Sequence, residues 1–99
     1  MFKYAHHPFE YRLNYSWDAE HWTCICSGDP VDICQYIKKH LEEMRDAAAQ
    51  TLEEKDIAEC FVIKYYYGNT LFRKWVGSAD GILKCAQEIA DKWLSEAFI

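Results

Sequence analysis

Thiols and imidazoles are the side chains of this sequence that could do nucleophilic or metal chemistry, and their spacing decides which chemistry to expect. The chain has five cysteines: Cys24 and Cys26 lie two residues apart, while Cys34, Cys60 and Cys85 are scattered. This is not the spacing of a zinc site, and an odd count excludes complete internal disulfide pairing. We therefore expect free thiols that pack as small apolar side chains.

The histidines add no clear catalytic arrangement. His21 and Cys26 are separated by an odd number of positions, which places their side chains on opposite faces of one strand, so the thiol lacks a general base. His6 and His7 lie next to Pro8, and whether this pair binds a metal stays open. The sequence also lacks a phosphate-binding loop, a dinucleotide-binding glycine pattern and a nucleophile elbow. We expect no catalytic residue, no cofactor and no metal site, and hence a protein that is not an enzyme.

Acidic side chains are concentrated in one stretch of the chain. The whole sequence has 16 acidic and 11 basic residues, a net charge of −5. Residues 42–59 contain seven acids and two bases, which accounts for the entire excess. We expect this stretch to attract a partner with a basic surface, or else only to keep a helix end and a loop hydrated. Its acidic residues are Glu42, Glu43, Asp46, Glu53, Glu54, Asp56 and Glu59.

These residues must be positioned by regular elements, and the first is a β-hairpin. Strict alternation of apolar and polar residues over 9–17 predicts a half-buried strand. Asp18 and Ala19 are predicted to form a tight turn, so that residues 20–26 return as a second strand. In that register Tyr15 lies opposite Trp22 on the buried side.

A long amphipathic helix is predicted to follow. Asp29 is a suitable N-cap, Pro30 fits the first helical position, and Asp32 adds negative charge near the positive end of the helix. Its apolar stripe is Ile33, Ile37, Leu41, Met44 and Ala48.

The second half of the chain is predicted to repeat the architecture of the first. Residues 57–67 and 70–76 predict two strands joined by a Gly68-Asn69 turn, and Ser78 or Asp80 is predicted to cap a last helix. A shift of 51 residues superimposes the halves, about 9–50 and 57–99, without gaps. We therefore predict a single α+β domain over residues 1–99, with ββαββα order and a four-stranded antiparallel sheet that has two helices packed on one face.

Helices on one face leave the other face of the sheet open to solvent or to a partner. Tyrosine, arginine and tryptophan dominate binding hot spots, and we expect such residues to anchor a partner on this open face. The alternatives are that a second copy of the chain covers it, or that the N-terminal segment with Phe2 and Tyr4 does. A one-residue shift of register would exchange the two faces. The predicted partner-binding residues are Arg12, Lys64, Tyr66, Arg73 and Trp75.

Length and composition fit an independent domain. Ninety-nine residues with 51% hydrophobic and 27% charged side chains are typical of a globular chain. No apolar run approaches the roughly 20 residues that cross a bilayer, and the opening residues do not resemble a signal peptide. With free thiols, this favours a cytoplasmic protein and no membrane partner.

We therefore expect a small acidic protein-binding module. The expected form is a stoichiometric inhibitor, such as an immunity protein or a phage-encoded blocker of a nuclease or defence complex, which acts by steric and electrostatic occlusion. One alternative is a nucleic-acid binder that uses the aromatic and basic sheet face. The other is a homodimeric interaction module.

Overall fold

A computed structural model of the chain describes residues 9–97, with the side chains of residues 9–96. The α+β fold and the order of two hairpins, each followed by a long helix, are confirmed, with one short helix added between the halves. Within this described part, no helix combines the length and apolar character needed to cross a membrane. The elements are β1 (Phe9–Ser16), β2 (Trp22–Gly28), α1 (Pro30–Thr51), α2 (Glu54–Ile57), β3 (Phe61–Tyr67), β4 (Thr70–Gly77) and α3 (Ala79–Ala97).

The four strands form one antiparallel sheet in the order β2-β1-β3-β4. β1 and β3 are the central strands, and their pairing joins the hairpin of the first half to that of the second. Leu13 lies opposite Ile63 in this pairing, and Tyr15 lies opposite Phe61. These side chains share the face on which α1 and α3 pack, because strand residues alternate between faces.

The core lies between that face and the two helices. Ile33 and Ile37 of α1 and Ile82 of α3 are fully buried in one cluster with Leu13 and Ile63. Ile33 and Ile37 belong to the helical stripe that the sequence predicts for the first long helix. Burial of each such side chain stabilises the fold by about 1.5–3 kcal/mol, so the stripes fix how the helices lie on the sheet.

Both long helices begin where the sequence predicts. Asp29 caps α1: its carboxylate accepts a hydrogen bond from the N–H of Asp32 (2.9 Å), and the Asp32 carboxylate accepts one from the N–H of Asp29 (3.2 Å). Ser78 caps α3, since its hydroxyl accepts a hydrogen bond from the N–H of Gly81 (3.2 Å). Asp80, the alternative cap, instead forms an ion pair with Arg45 of α1 and so links the two helices.

The predicted register of the first hairpin is wrong. β1 ends at Ser16 and β2 begins at Trp22, so residues 17–21 replace the expected two-residue turn. Ser16 therefore pairs with Trp22, and Tyr15 pairs with Thr23. Since pairing has shifted by one residue, Trp22 lies on the open face of the sheet and not on the buried side.

In the second hairpin, the predicted sheet faces of Arg73 and Trp75 are wrong. Gly68-Asn69 is the turn, as expected, but Phe72 is a β-bulge: Tyr66 pairs with Leu71, whereas Tyr65 pairs with Arg73. Beyond the bulge the alternation is reversed. Arg73 and Trp75 therefore lie on the helix-covered face, and Trp75 packs against the core opposite Ile63.

The bulge generates a prediction about stability. Trp75→Ala should lower the free energy of unfolding by about 2 kcal/mol, because Trp75 packs on the core. Val76→Ala should cost less than about 1 kcal/mol, because Val76 lies on the open face and is 45% exposed. Urea denaturation followed by circular dichroism measures both. A larger loss for Val76→Ala than for Trp75→Ala would show that β4 pairs without the bulge.

Candidate functional site: the acidic end and the open sheet face

The predicted site residues are distributed over separate surfaces of the molecule. Part of the acidic stretch lies at the end of the sheet where β1 finishes and β3 begins, and Arg12, Lys64 and Tyr66 lie on the open sheet face. Arg73 and Trp75 face α3 instead. The remaining acids, Glu42, Glu43 and Asp46, lie on α1 and are exposed to solvent, roughly 8–14 Å along the helix from its C-terminus.

One end of the sheet collects acidic side chains from two segments, and we name it the acidic end. The 17–21 connection meets the segment before β3 there, where the N–H of Ser16 donates a hydrogen bond to the carbonyl of Cys60 (3.0 Å). A depression of about 160 Å³ brings Asp56 and Glu59 beside Ala19 and Trp22. The acidic end consists of Asp18, Glu20, Glu53, Glu54, Asp56 and Glu59.

Two tryptophans accompany these acids, and the sequence placed both on the buried side. Trp17 and Trp22 are each 44% exposed, and Trp17 stacks on the ring of His21 with 5.8 Å between ring centroids. Asp18 is the sequence signal that could have predicted their exposure. An aspartate accepts hydrogen bonds from the backbone just after it and so favours a longer turn. The acidic end therefore presents large aromatic surface among carboxylates.

Asp18 organises the 17–21 connection. Its carboxylate accepts hydrogen bonds from the N–H groups of Glu20 (2.8 Å) and His21 (2.7 Å) and contacts Nδ1 of His21 (2.5 Å). Ala19 takes a positive φ of 69° within this turn. The ligand atoms of Asp18, Glu20 and His21 lie within 4.8 Å of one another, but these hydrogen bonds account for the arrangement without a metal. The histidine pair His6-His7 lies outside the described residues.

The open sheet face carries a row of three cations. Arg12 of β1 pairs with Lys64 of β3, and Lys64 pairs with Lys74 of β4, so that neighbouring strands present positive side chains at one level. Arg12 bonds to Glu10 (2.8 Å), and its guanidinium lies 4.6 Å from the centre of the Tyr66 ring. Lys64 and Lys74 have no ion pair within residues 9–97. Lys74 is a functional candidate that the sequence missed, because its face depends on the bulge.

A strip of one polar and two apolar residues runs beside the cation row. Asn14, Val62 and Val76 follow one another across β1, β3 and β4. Asn14 is only 9% exposed, and its Nδ2 has no hydrogen-bond partner among the described residues. A depression of about 290 Å³ continues from this strip to the acidic end. It is lined by Trp22, Glu59, Val62, Lys64, Lys74 and Val76.

Arg73 and Trp75 form part of a groove between the sheet and α3. The Arg73 guanidinium lies 4.6 Å from the centre of the Trp75 ring, and Tyr11 stacks on Tyr65 at 4.7 Å between centroids. Burial is the main cause that raises the pKa of Tyr11 above its usual value. The groove, about 440 Å³, is also lined by Cys85, Glu88, Ile89, Lys92, Trp93 and Glu96.

Three of the five thiols are poor nucleophiles. Burial raises the pKa of Cys60 to about 11 and also raises the pKa values of Cys26 and Cys85, so these side chains stay protonated at neutral pH. Cys34 is buried and Cys24 is exposed. Across residues 9–97, no hydrogen bond joins a thiol to an imidazole ring.

Comparison of this chain with known protein families, with curated proteins and with solved structures finds no match.

The geometry of Asp18 predicts its titration. Its hydrogen bonds, above all the one from the backbone of His21, lower its pKa from 3.8 to about 2 because they favour the charged form. This contribution to stability is present above the unfolded-state pKa and is lost as the pH falls through about 2. NMR titration of the Asp18 carboxyl carbon measures this, and His21→Ala should raise the midpoint. A midpoint near 3.8 in the unmodified protein would contradict the hydrogen-bonded turn.

Proposed function

We propose that this protein is a binding module and not an enzyme, and that it inhibits another macromolecule by covering a basic surface with its acidic end. The supporting observation is the position of Trp22, which is 44% exposed and lines one depression with Asp56 and Glu59. An exposed tryptophan supplies apolar contact area, and carboxylates around it attract positive charge. These are the two components that a tight electrostatic contact needs.

The charge balance of the acidic end favours a protein partner with a basic surface. Its six carboxylates face one lysine in the same segments, Lys55, which lies 3.8 Å from Glu53. Grooves that bind nucleic acid carry such positive surfaces. A nuclease or a defence complex is therefore a suitable target, and an immunity protein or a phage-encoded blocker is a suitable setting. Five free thiols support the reducing cytosol as the compartment.

Charge reversal tests this proposal. Glu54→Lys with Glu59→Lys should reduce capture of a basic partner from lysate of the native host at least tenfold, because both residues are exposed at the acidic end. Lysate with and without nuclease treatment is passed over the immobilised tagged protein, and the captured protein is quantified by mass spectrometry. The matched control is Glu88→Lys with Asp91→Lys on α3, which gives the same net charge and should retain the partner.

Equal capture by both double variants would contradict a role for the acidic end. Recovery that disappears with nuclease treatment would show that the captured material was held through nucleic acid. Recovery of the chain itself alone, together with a dimer mass in solution, would replace the proposal by the homodimeric module.

A second variant tests the aromatic contact separately from charge. Trp22→Ala should weaken binding of the captured partner by about 2 kcal/mol or more, since exposed tryptophans at the centre of an interface are hot spots. Isothermal titration calorimetry with the purified partner measures the loss. The control is Leu94→Ala, which removes a similarly exposed side chain from α3, at 40%. Unchanged affinity for Trp22→Ala with intact circular dichroism would exclude Trp22 as the anchor.

A further inference from the structure

We infer that the open sheet face is a second binding site, and that its ligand is single-stranded nucleic acid. The site consists of the cation row Arg12, Lys64 and Lys74, the Tyr66 ring beneath Arg12, and the amide of Asn14. It goes beyond the proposed function, because none of these residues belongs to the acidic end.

The cation row points to an anionic ligand. Adjacent strands lie about 4.8 Å apart, so Arg12, Lys64 and Lys74 hold three positive charges within roughly 10 Å. Like charges directly opposite each other destabilise a sheet. Of these three cations, only Arg12 has a carboxylate partner in the described part of the chain, and that carboxylate, Glu10, lies on the same strand. Phosphates would offset the repulsion between Lys64 and Lys74, which no carboxylate of the described residues pairs with.

The hydrogen-bonding groups of this face are matched to acceptors. Lysine and arginine only donate, and the Nδ2 of Asn14 is a nearly buried donor without a partner within residues 9–97. A buried donor that stays unpaired costs free energy, so a ligand that accepts from it gains that amount on binding. Phosphate oxygens and the ring nitrogens and carbonyls of bases are such acceptors.

Stacking distinguishes nucleic acid from an acidic peptide. The guanidinium of Arg12 lies 4.6 Å from the centre of the Tyr66 ring, and Trp22 presents a second aromatic surface on the same face. Unpaired bases stack on aromatic rings and on guanidinium planes, and this contact accepts every base. A peptide of acidic residues would use the cations but would not stack on these surfaces.

The net charge of −5 does not forbid this site, because the charges are segregated. The acids of the acidic end lie beyond one margin of the face, where Glu59 reaches the depression that Lys64 and Lys74 also line. Binding should therefore be weak and sensitive to salt. Removal of the negative charge of Glu59 should strengthen it.

The salt dependence of binding tests this inference. A fluorescent ten-nucleotide single strand is titrated with the full chain, and anisotropy is read at several salt concentrations. Three phosphate contacts predict a slope of about −2 in log K against log salt, from roughly −0.7 per contact. Lys64→Gln with Lys74→Gln should bring the slope to about −0.7. Lys38→Gln with Lys39→Gln on α1, which makes the same change of charge, should leave it at about −2.

Two further variants separate stacking and partner binding from charge. Tyr66→Leu should weaken binding of the strand by about tenfold while the slope stays the same. Glu54→Lys with Glu59→Lys should strengthen binding of the strand. The same variant should weaken binding of the protein partner at the acidic end. Failure of one proposal is therefore distinguishable from failure of the other.

Several outcomes would overturn the inference. One is the absence of binding at low salt. Another is a Lys64→Gln, Lys74→Gln variant that folds, as judged by circular dichroism, and still has the same slope of log K against log salt as the unmodified protein. A third is equal affinity for a labelled glutamate peptide, because it would show attraction by charge without recognition of bases. Lys74→Gln alone, at an exposed position, repeats the test if the double variant does not fold.

Discussion

The pairing of β1 with β3 is the contact on which the rest of the structure depends. It joins two hairpin-helix halves into one sheet and sets Leu13 opposite Ile63 beneath both long helices. Because both long helices cover the same face, the other face is left open by α1 and α3. The same pairing brings Arg12 beside Lys64, so one register determines both the core and the cation row.

Much of the fold could be predicted from the sequence, because the signals for it are local. The cap at Asp29, the Gly68-Asn69 turn and the helical stripes each depend on a few neighbouring residues. The predicted sheet faces of Trp22 and Trp75 were wrong. The face of Trp22 depends on the length of the 17–21 connection, and the face of Trp75 depends on the bulge at Phe72. A bulge adds one residue and reverses the alternation beyond it, so a strict period of two assigns the following residues to the wrong face. The cation row could be predicted only in part: Arg12 and Lys64 are expected on the open face, whereas Lys74 reaches it only beyond the bulge.

The charge distribution reconciles an acidic chain with a basic face. Asp18, Asp56 and Glu59 lie at one end of the sheet, whereas Arg12, Lys64 and Lys74 cross its open face. The two surfaces meet at Trp22 and Glu59. Interactions between exposed charges are screened over about 8–10 Å at physiological salt, so the two surfaces present separate potentials except where Glu59 shares a depression with Lys64 and Lys74. The acidic end is suited to a basic protein and the open face to phosphates.

Amide hydrogen exchange of the protein, free and in complex with the captured partner, would locate the contact along the chain. If the acidic end binds the partner, exchange slows on binding in residues 17–22 and 53–60 and is unchanged in α3. Protection confined to α3 and to the groove that holds Trp75, with the acidic end exchanging as in the free protein, would contradict binding by the acidic end.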